Sequence, residues 1–335
     1  MRASVLVEPG LVRLDKRPVP QLEPGDVLVE IAAVGVCGSD VHYFHDGRIG
    51  DFIVEEPMIL GHEASGTIVA VGSATSPDRI GQRVSIEPQR PCRACEHCKR
   101  GAYNLCTSME FYATPPIDGA FAQFATIPSD FAHPIPDSVS FEAAALCEPL
   151  SVGIWSCQKA QVGPGSRLLV AGAGPIGIIV MQVAFAFGAS EVIVADVVDE
   201  RRAAAERFGA TRTIDPRAVD IAAEELEVDA FIDASGAAPA VASGVTAVRP
   251  GGHVVLVGMG ADDMTLPVAR IQQRELLLTG VFRYANTWPL AIELLRTGRV
   301  DLDGLVSARF ALDEVAEALE AATRPDTLKI IVEPR

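Results

Sequence analysis

The segment Gly172-Ala-Gly174-Pro175-Ile176-Gly177 follows an apolar run without alternation, Arg167–Gly172, and opens a stretch of helical texture, Ile176–Phe187. A G-x-G-x-x-G turn alone is weak, because glycine-rich turns are common. Between a buried parallel strand and a helix it specifies a βαβ unit. Gly172 makes the tight turn, Gly174 leaves the backbone open to a pyrophosphate, and Gly177 lets the helix pack on the sheet. The competing reading is a βαβ turn that binds no nucleotide.

The pattern continues downstream. Glu191–Asp196, Asp229–Asp233, His253–Gly258 and Leu276–Val281 read as strands, and Asp199–Phe208, with Asp199 as its cap, and Pro239–Val248 as helices. This alternation predicts an α/β fold built on a doubly wound parallel sheet. Before Pro164 the texture differs: short apolar runs (Val27–Ala33, Gly66–Val71, Arg83–Ile86, Phe121–Ile127) are broken by Gly, Pro and Asp, as in a β-rich domain. The tail from Thr287 reads as two amphipathic helices, Pro289–Arg296 and Asp313–Ala322, and a strand, Lys329–Val332. A chain of 335 residues is too long for one ordinary core, and three segments follow: 1–150, 151–281, and a return, 282–335, to the first domain.

The acidic residue closing the second strand selects the cofactor. A carboxylate at Asp196 accepts from both adenosine ribose hydroxyls and repels a 2′-phosphate, which favours NAD over NADP. Arg201 is able to meet such a phosphate; with Asp196 present it reads as packing against adenine or ribose. The pyrophosphate lies at the helix N-terminus, past Gly172, Gly174, Pro175, Ile176 and Gly177.

A formal net charge of −16 argues against a nucleic-acid partner. No apolar run is long and clean enough to span a bilayer, and the opening MRASVLVEPG lacks the order of a signal peptide. Of 28 basic residues only four, at 16, 99, 159 and 329, are Lys, which reads as compositional drift without meaning for a site. Seven cysteines, an odd and clustered set, favour metal over disulfides in a reducing compartment, hence the cytoplasm.

Cys92, Cys95, Cys98 and Cys106 offer four thiolates at spacings that wrap one tetrahedral ion, in a lobe over residues 90–108. Zinc suits a closed four-thiolate site with no open position; an iron–sulfur cluster is the competing metal. Arg90, Arg93, Lys99 and Arg100 read as offsetting the thiolate charge. Other metal-type residues are scattered: Cys37-Gly-Ser39-Asp40-x-His42, Gly61-His62-Glu63 and Cys147-Glu148-Pro149. A catalytic zinc takes about three protein ligands from separate loops and keeps one position open. Cys37 and His62 suit it, with a carboxylate third.

The stretches CGSDVHYFHDGRIGDF, PMILGHEASGTIVAVG, CEPLSVG, GAGPIG and GVFRYANTWP make the chain resemble, over nearly its whole length, the zinc-containing medium-chain dehydrogenase/reductase superfamily, and within it the sorbitol (polyol) dehydrogenases. The resemblance implies a GroES-like β-barrel catalytic domain beside the Rossmann sheet. It implies Cys37 and His62 as ligands of a catalytic zinc, with Glu63 and Glu148 around it, one binding directly and the other through a water. Which does so stays open. Cys147 is excluded on the ground that neighbours in an extended segment point to opposite sides. Asp40 would orient His62.

Ser39 and His42 would relay the released proton, though His42 also reads as a surface imidazole. Tyr43, Phe111, Glu148, Arg283 and Tyr284 would form a polyol pocket, although Tyr43 and Phe111 also read as core aromatics. Backbone at Val257, Gly258 and Met259 and at Val281, Phe282 and Arg283 would meet the nicotinamide. Zinc would act as a Lewis acid on the substrate hydroxyl while hydride passes to NAD. A homotetramer, or homodimer, would form through the edge strand Leu276–Val281. The alternatives are the same scaffold acting on threonine or a butanediol, and a zinc- and nucleotide-binding scaffold without turnover.

Overall fold

The structure is a computed structural model and describes residues 1–334. The chain divides into two units. One comprises Met1–Glu148, Trp288–Arg296 and Asp301–Arg335; the other comprises Pro149–Thr287 and Thr297–Val300.

The second unit is built on six parallel strands. In spatial order they are Arg212–Ile214, Glu191–Ala195, Arg167–Ala171, Val228–Asp233, Val248–Leu256 and Leu277–Gly280. Numbered along the chain this is the order 3-2-1-4-5-6 of a Rossmann sheet, which reverses direction beside its first strand. Leu168, Leu169 and Val170 have no exposed surface, because the central strand is covered on both faces. Helix Asp199–Arg207 differs from the sequence expectation at its start. Val198 is the N-cap and no side chain caps the helix; Asp199 is its first residue and accepts from Arg202 Nη2 at 2.5 Å.

The first unit is organised around the ten-residue strand Asp26–Gly35. One edge pairs antiparallel with Glu63–Val71. The other edge is shared: its first half pairs with Phe124–Pro128, and its end, at Val34 and Gly35, with Lys329–Glu333. Arg83–Ile86 and Ala132–Pro134 extend the sheet on one side and Val306–Ala311 on the other. The core beneath it includes Val29, Ile31, Ile68, Ile86, Phe121 and Ile127. These positions carry the β-branched and aromatic residues that pack well on a pleated surface.

Cys147 and Glu148 are not in extended chain. They open the helix Cys147–Lys159, so opposite-face alternation does not separate them. Cys147 is nevertheless set apart by burial: it has no exposed surface, and burial pushes its thiol up to about 12.

Candidate metal centre and cofactor turn

Three donors of the first unit converge: Cys37 Sγ, a ring nitrogen of His62 and a carboxylate oxygen of Glu63 lie within 4.8 Å of one another. Cys37 is the N-cap of helix Gly38–Asp46, His62 follows the turn at Gly61, and Glu63 begins the strand Glu63–Val71. One carboxylate joins the first two loops. Asp40 Oδ2 accepts from Cys37 N at 3.0 Å, Asp40 Oδ1 accepts from Gly61 N at 2.9 Å, and His62 Nδ1 is 3.7 Å from Oδ1. Burial alone would lower the His62 pKa. Asp40 and then Cys37 outweigh it and hold the imidazole well above its ordinary value. A thiol, an imidazole and a carboxylate from separate loops form a donor set that fits zinc.

Glu63 has a partner the sequence reading missed. Lys329 Nζ donates to both its carboxylate oxygens, at 2.6 Å to Oε2, and to Val36 O at 3.0 Å. The arginine bias carried no meaning for a site, but one of the four lysines does: Lys329 is 3% exposed and tied to this centre. Burial opposes its charge, but Glu63 foremost, then Cys37 and Glu148, raise its pKa above the ordinary lysine value. The available signal was a lone lysine opening an otherwise apolar strand, KIIV.

Phe111 lies beside the centre, its ring 5.7 Å from that of His62. Tyr43 and Phe111 are buried, Glu148 is 6% exposed, and Ser39 is partly exposed. Among the described residues, Glu148 is not in the Cys37–His62–Glu63 group. His42 is at the surface, with Nδ1 3.3 Å from Asp46 Oδ2.

The four lobe cysteines also converge within 4.8 Å, with sulfur–sulfur distances of 3.5 Å (Cys95–Cys98) and 3.9 Å (Cys92–Cys98). A zinc–sulfur bond of about 2.3 Å gives a tetrahedral edge of about 3.8 Å, so the donors fit zinc. Backbone N–H groups of Cys92, Cys95 and Cys98 point at sulfurs of Cys106, Cys92 and Cys95. The basic residues expected to offset thiolates are largely engaged elsewhere. Arg90 grips Asp26 with two bonds, Arg93 meets Asp130, and Arg100 meets Glu96 and His97. Tyr103 anchors the lobe by donating to buried Glu87, which also meets His133 at 2.9 Å, another link not read from sequence.

In the second unit Gly172 has φ +94°, and a Cβ at Gly177 would lie 1.8 Å from Gly172 O. A Cβ at Gly174 meets nothing within 4 Å. Gly174 is also the N-cap of helix Pro175–Ala186 and has no side chain to cap it, which leaves first-turn N–H groups facing the open turn. Asp196 is buried, accepting from Ala173 N at 2.7 Å and Val198 N at 2.8 Å. Arg202, rather than Arg201, is tied to this turn: its Nη1 donates to Asp196 O at 2.7 Å. Val257 N and Gly258 N both donate to Asp233 O, and Val281 N to Leu256 O. Met259 and Phe282 are exposed, Arg283 lies over the Phe282 ring, and Tyr284 is fully buried.

Comparison with known proteins agrees with this layout. Residues 23–137 match the alcohol dehydrogenase GroES-like domain and residues 175–297 the zinc-binding dehydrogenase domain. The chain is 44% identical to sorbitol dehydrogenase of Mus musculus, covering 97% of this chain and 93% of that protein. It is 42% identical to sorbitol dehydrogenase of Bacillus subtilis, covering 100% and 97%. The solved structure of L-idonate 5-dehydrogenase from Escherichia coli superposes with a TM-score of 0.94 at 28% identity, covering 99% and 98%. Convergent donors in a GroES-like unit, a glycine turn in a Rossmann unit and full-length similarity thus lead to one assignment: the chain belongs to the zinc-dependent medium-chain dehydrogenases, in their polyol dehydrogenase branch.

Proposed function

We propose that this protein oxidises a secondary hydroxyl of a small polyol, such as sorbitol or xylitol, to the ketone, with NAD as acceptor and a zinc held by Cys37, His62 and Glu63. The convergence of those three donors around the Asp40 brace carries the reading. Similarity to sorbitol dehydrogenases supplies the substrate class. Zinc supplies Lewis acidity toward a hydroxyl, and NAD accepts the hydride.

The chain's own residues do the rest. Cys37 and His62 are the fixed donors, and Asp40 sets their separation. Glu148 is the second carboxylate of the centre. Ser39 takes the substrate proton toward solvent; His42, three residues on and on the same helix face, is the exposed end of that route. Phe111 forms an apolar wall that keeps water off the reacting carbon, and Tyr43, Glu148, Arg283 and Tyr284 recognise the hydroxyl chain. The Gly172–Gly177 turn holds the pyrophosphate, Asp196 selects the 2′-hydroxyl of NAD, Arg201 packs against adenine or ribose, and Val257–Met259 with Val281–Arg283 line the nicotinamide.

A second zinc in the four-cysteine lobe is structural. The edge strand Leu277–Gly280, where Leu277 is 56% exposed, suits pairing across a two-fold toward a dimer or tetramer. A reducing cytoplasm suits seven thiols. Among the described residues, no helix is long and apolar enough to cross a membrane.

NADH formation, followed by absorbance on a panel of polyols and simple alcohols with and without a chelator, tests the reading. Chelator-sensitive turnover on a pentitol or hexitol, poor with NADP, supports it. Turnover confined to threonine or small diols removes the polyol assignment, and no turnover with zinc bound removes the enzymatic one.

A further inference from the structure

Asp233 ends the strand Val228–Asp233 with a carboxylate that the proposed site does not use, on a residue only 1% exposed. The carboxylate faces the turn that follows. Its Oδ1 accepts from Ser235 N at 3.0 Å and from Ser235 Oγ at 2.6 Å, and Gly236 N donates to both oxygens, at 3.1 Å to Oδ2. Ser235 Oγ in turn accepts from Ala237 N at 3.2 Å. The main-chain carbonyl faces the neighbouring strand end, where it accepts from Val257 N and Gly258 N, both at 2.9 Å. One residue thus holds two loops, 234–237 by its side chain and 257–260 by its backbone.

Those loops meet backbone to backbone. A Cβ on Gly258 would lie 2.2 Å from Gly236 N, one on Gly260 1.9 Å from Gly236 O, and one on Gly236 2.1 Å from Met259 O. The three glycines leave no side chain between the loops to absorb a shift, and contacts this close transmit displacement. The pyrophosphate turn is tied to the same strand in another way. Ala234 N donates to Ala171 O at 2.8 Å, a main-chain bond that does not involve the carboxylate.

We propose that Asp233 is a positioning residue for hydride transfer. Acting through Ser235 and Gly236, its carboxylate sets the Val257–Met259 backbone against which the nicotinamide lies. It leaves the adenosine and pyrophosphate end of the cofactor unaffected. The inference rests on the nicotinamide reading above.

Calorimetric binding of NADH and of ADP-ribose, which lacks the nicotinamide, to the full-length protein tests it. Asp233→Asn keeps the size of the side chain but turns an N–H₂ toward backbone N–H groups. It is expected to weaken NADH about tenfold while ADP-ribose binds as before. Turnover on a polyol is expected to fall by as much as about a hundredfold. A merely structural aspartate would weaken both ligands alike or neither, and either result overturns the inference.

Should Asp233→Asn not fold, Ser235→Ala removes the hydroxyl link alone. It is expected to weaken NADH about threefold, again with ADP-ribose unchanged. Equal changes for the two ligands, or none, overturn the inference here too. Wild-type protein that binds neither ligand overturns the NAD reading as well, whereas a wild-type preference for NADH that both variants retain overturns this inference alone.

Discussion

Asp40 stands 3.7 Å from His62 Nδ1 while its two oxygens accept from the backbone of the Cys37 and His62 loops. One side chain thus bridges the loops that carry Cys37 and His62 and sets a carboxylate beside the imidazole. Asp40→Asn would turn an N–H₂ toward one of those backbone N–H groups. Metal affinity at this centre should fall about 10–100-fold, measured by chelator competition.

The same pair sets a pH dependence. His62 is raised in the folded state, so in the metal-free protein its stabilising contribution is fully present below about pH 6.5 and is lost as pH rises through the folded value. Metal must displace the proton from this imidazole. Melting temperatures across pH should therefore show metal-dependent stabilisation growing from acid to neutral pH. A flat difference would count against His62 as a ligand.

The turn glycines separate folding from cofactor binding. Gly177→Ala drives a methyl into Gly172 O, a backbone atom with little room to move. It should cost at least about 1–3 kcal/mol in thermal unfolding. Gly174→Ala meets open space, and its φ of −72° suits any residue. Its stability should stay within about 0.5 kcal/mol of wild type while the Michaelis constant for NAD rises. Equal melting loss in both variants would contradict this division.

Asp196→Ala should act on both levels. Removing the carboxylate leaves Ala173 N and Val198 N without their acceptor, at about 1–3 kcal/mol of stability. The ratio of kcat/KM for NAD to that for NADP should fall as well. Retention of the ratio would assign the residue to the loop alone.

Thiol reactivity should sort the cysteines. Backbone N–H groups of Ala94 and Cys95 lower Cys92 to about 6, whereas burial pushes Cys147 up to about 12. After chelation near neutral pH, iodoacetamide followed by peptide mass analysis should label Cys92 first. Cys147 should stay unlabelled until the protein unfolds, and early labelling of Cys147 would show that its segment opens.

Much of this was legible in the chain because it is local. The glycine turn, the strands on either side and the four-cysteine lobe are encoded within short stretches, where period and spacing dictate the outcome. What escaped was long-range or depended on register. Lys329 meets Glu63 only because one strand pairs with another from the far end of the sequence. That Arg202 reaches Asp196 O depends on helix phase. Cys147 was set aside by an extended-chain argument that fails because Pro149, favoured in a first turn, sits where a helix begins.

The strand Lys329–Glu333 also bears on how the chain is made. It fills an edge of Asp26–Gly35, and its lysine is 266 residues from the glutamate it neutralises. During synthesis Glu63 precedes its partner by 266 residues, whereas the six strands of the parallel sheet all lie between residues 167 and 280. The unit that begins first is therefore the one that finishes last. The Lys329–Glu63 pair is thus open only to a chain made past residue 329, later than every strand of the six-stranded sheet.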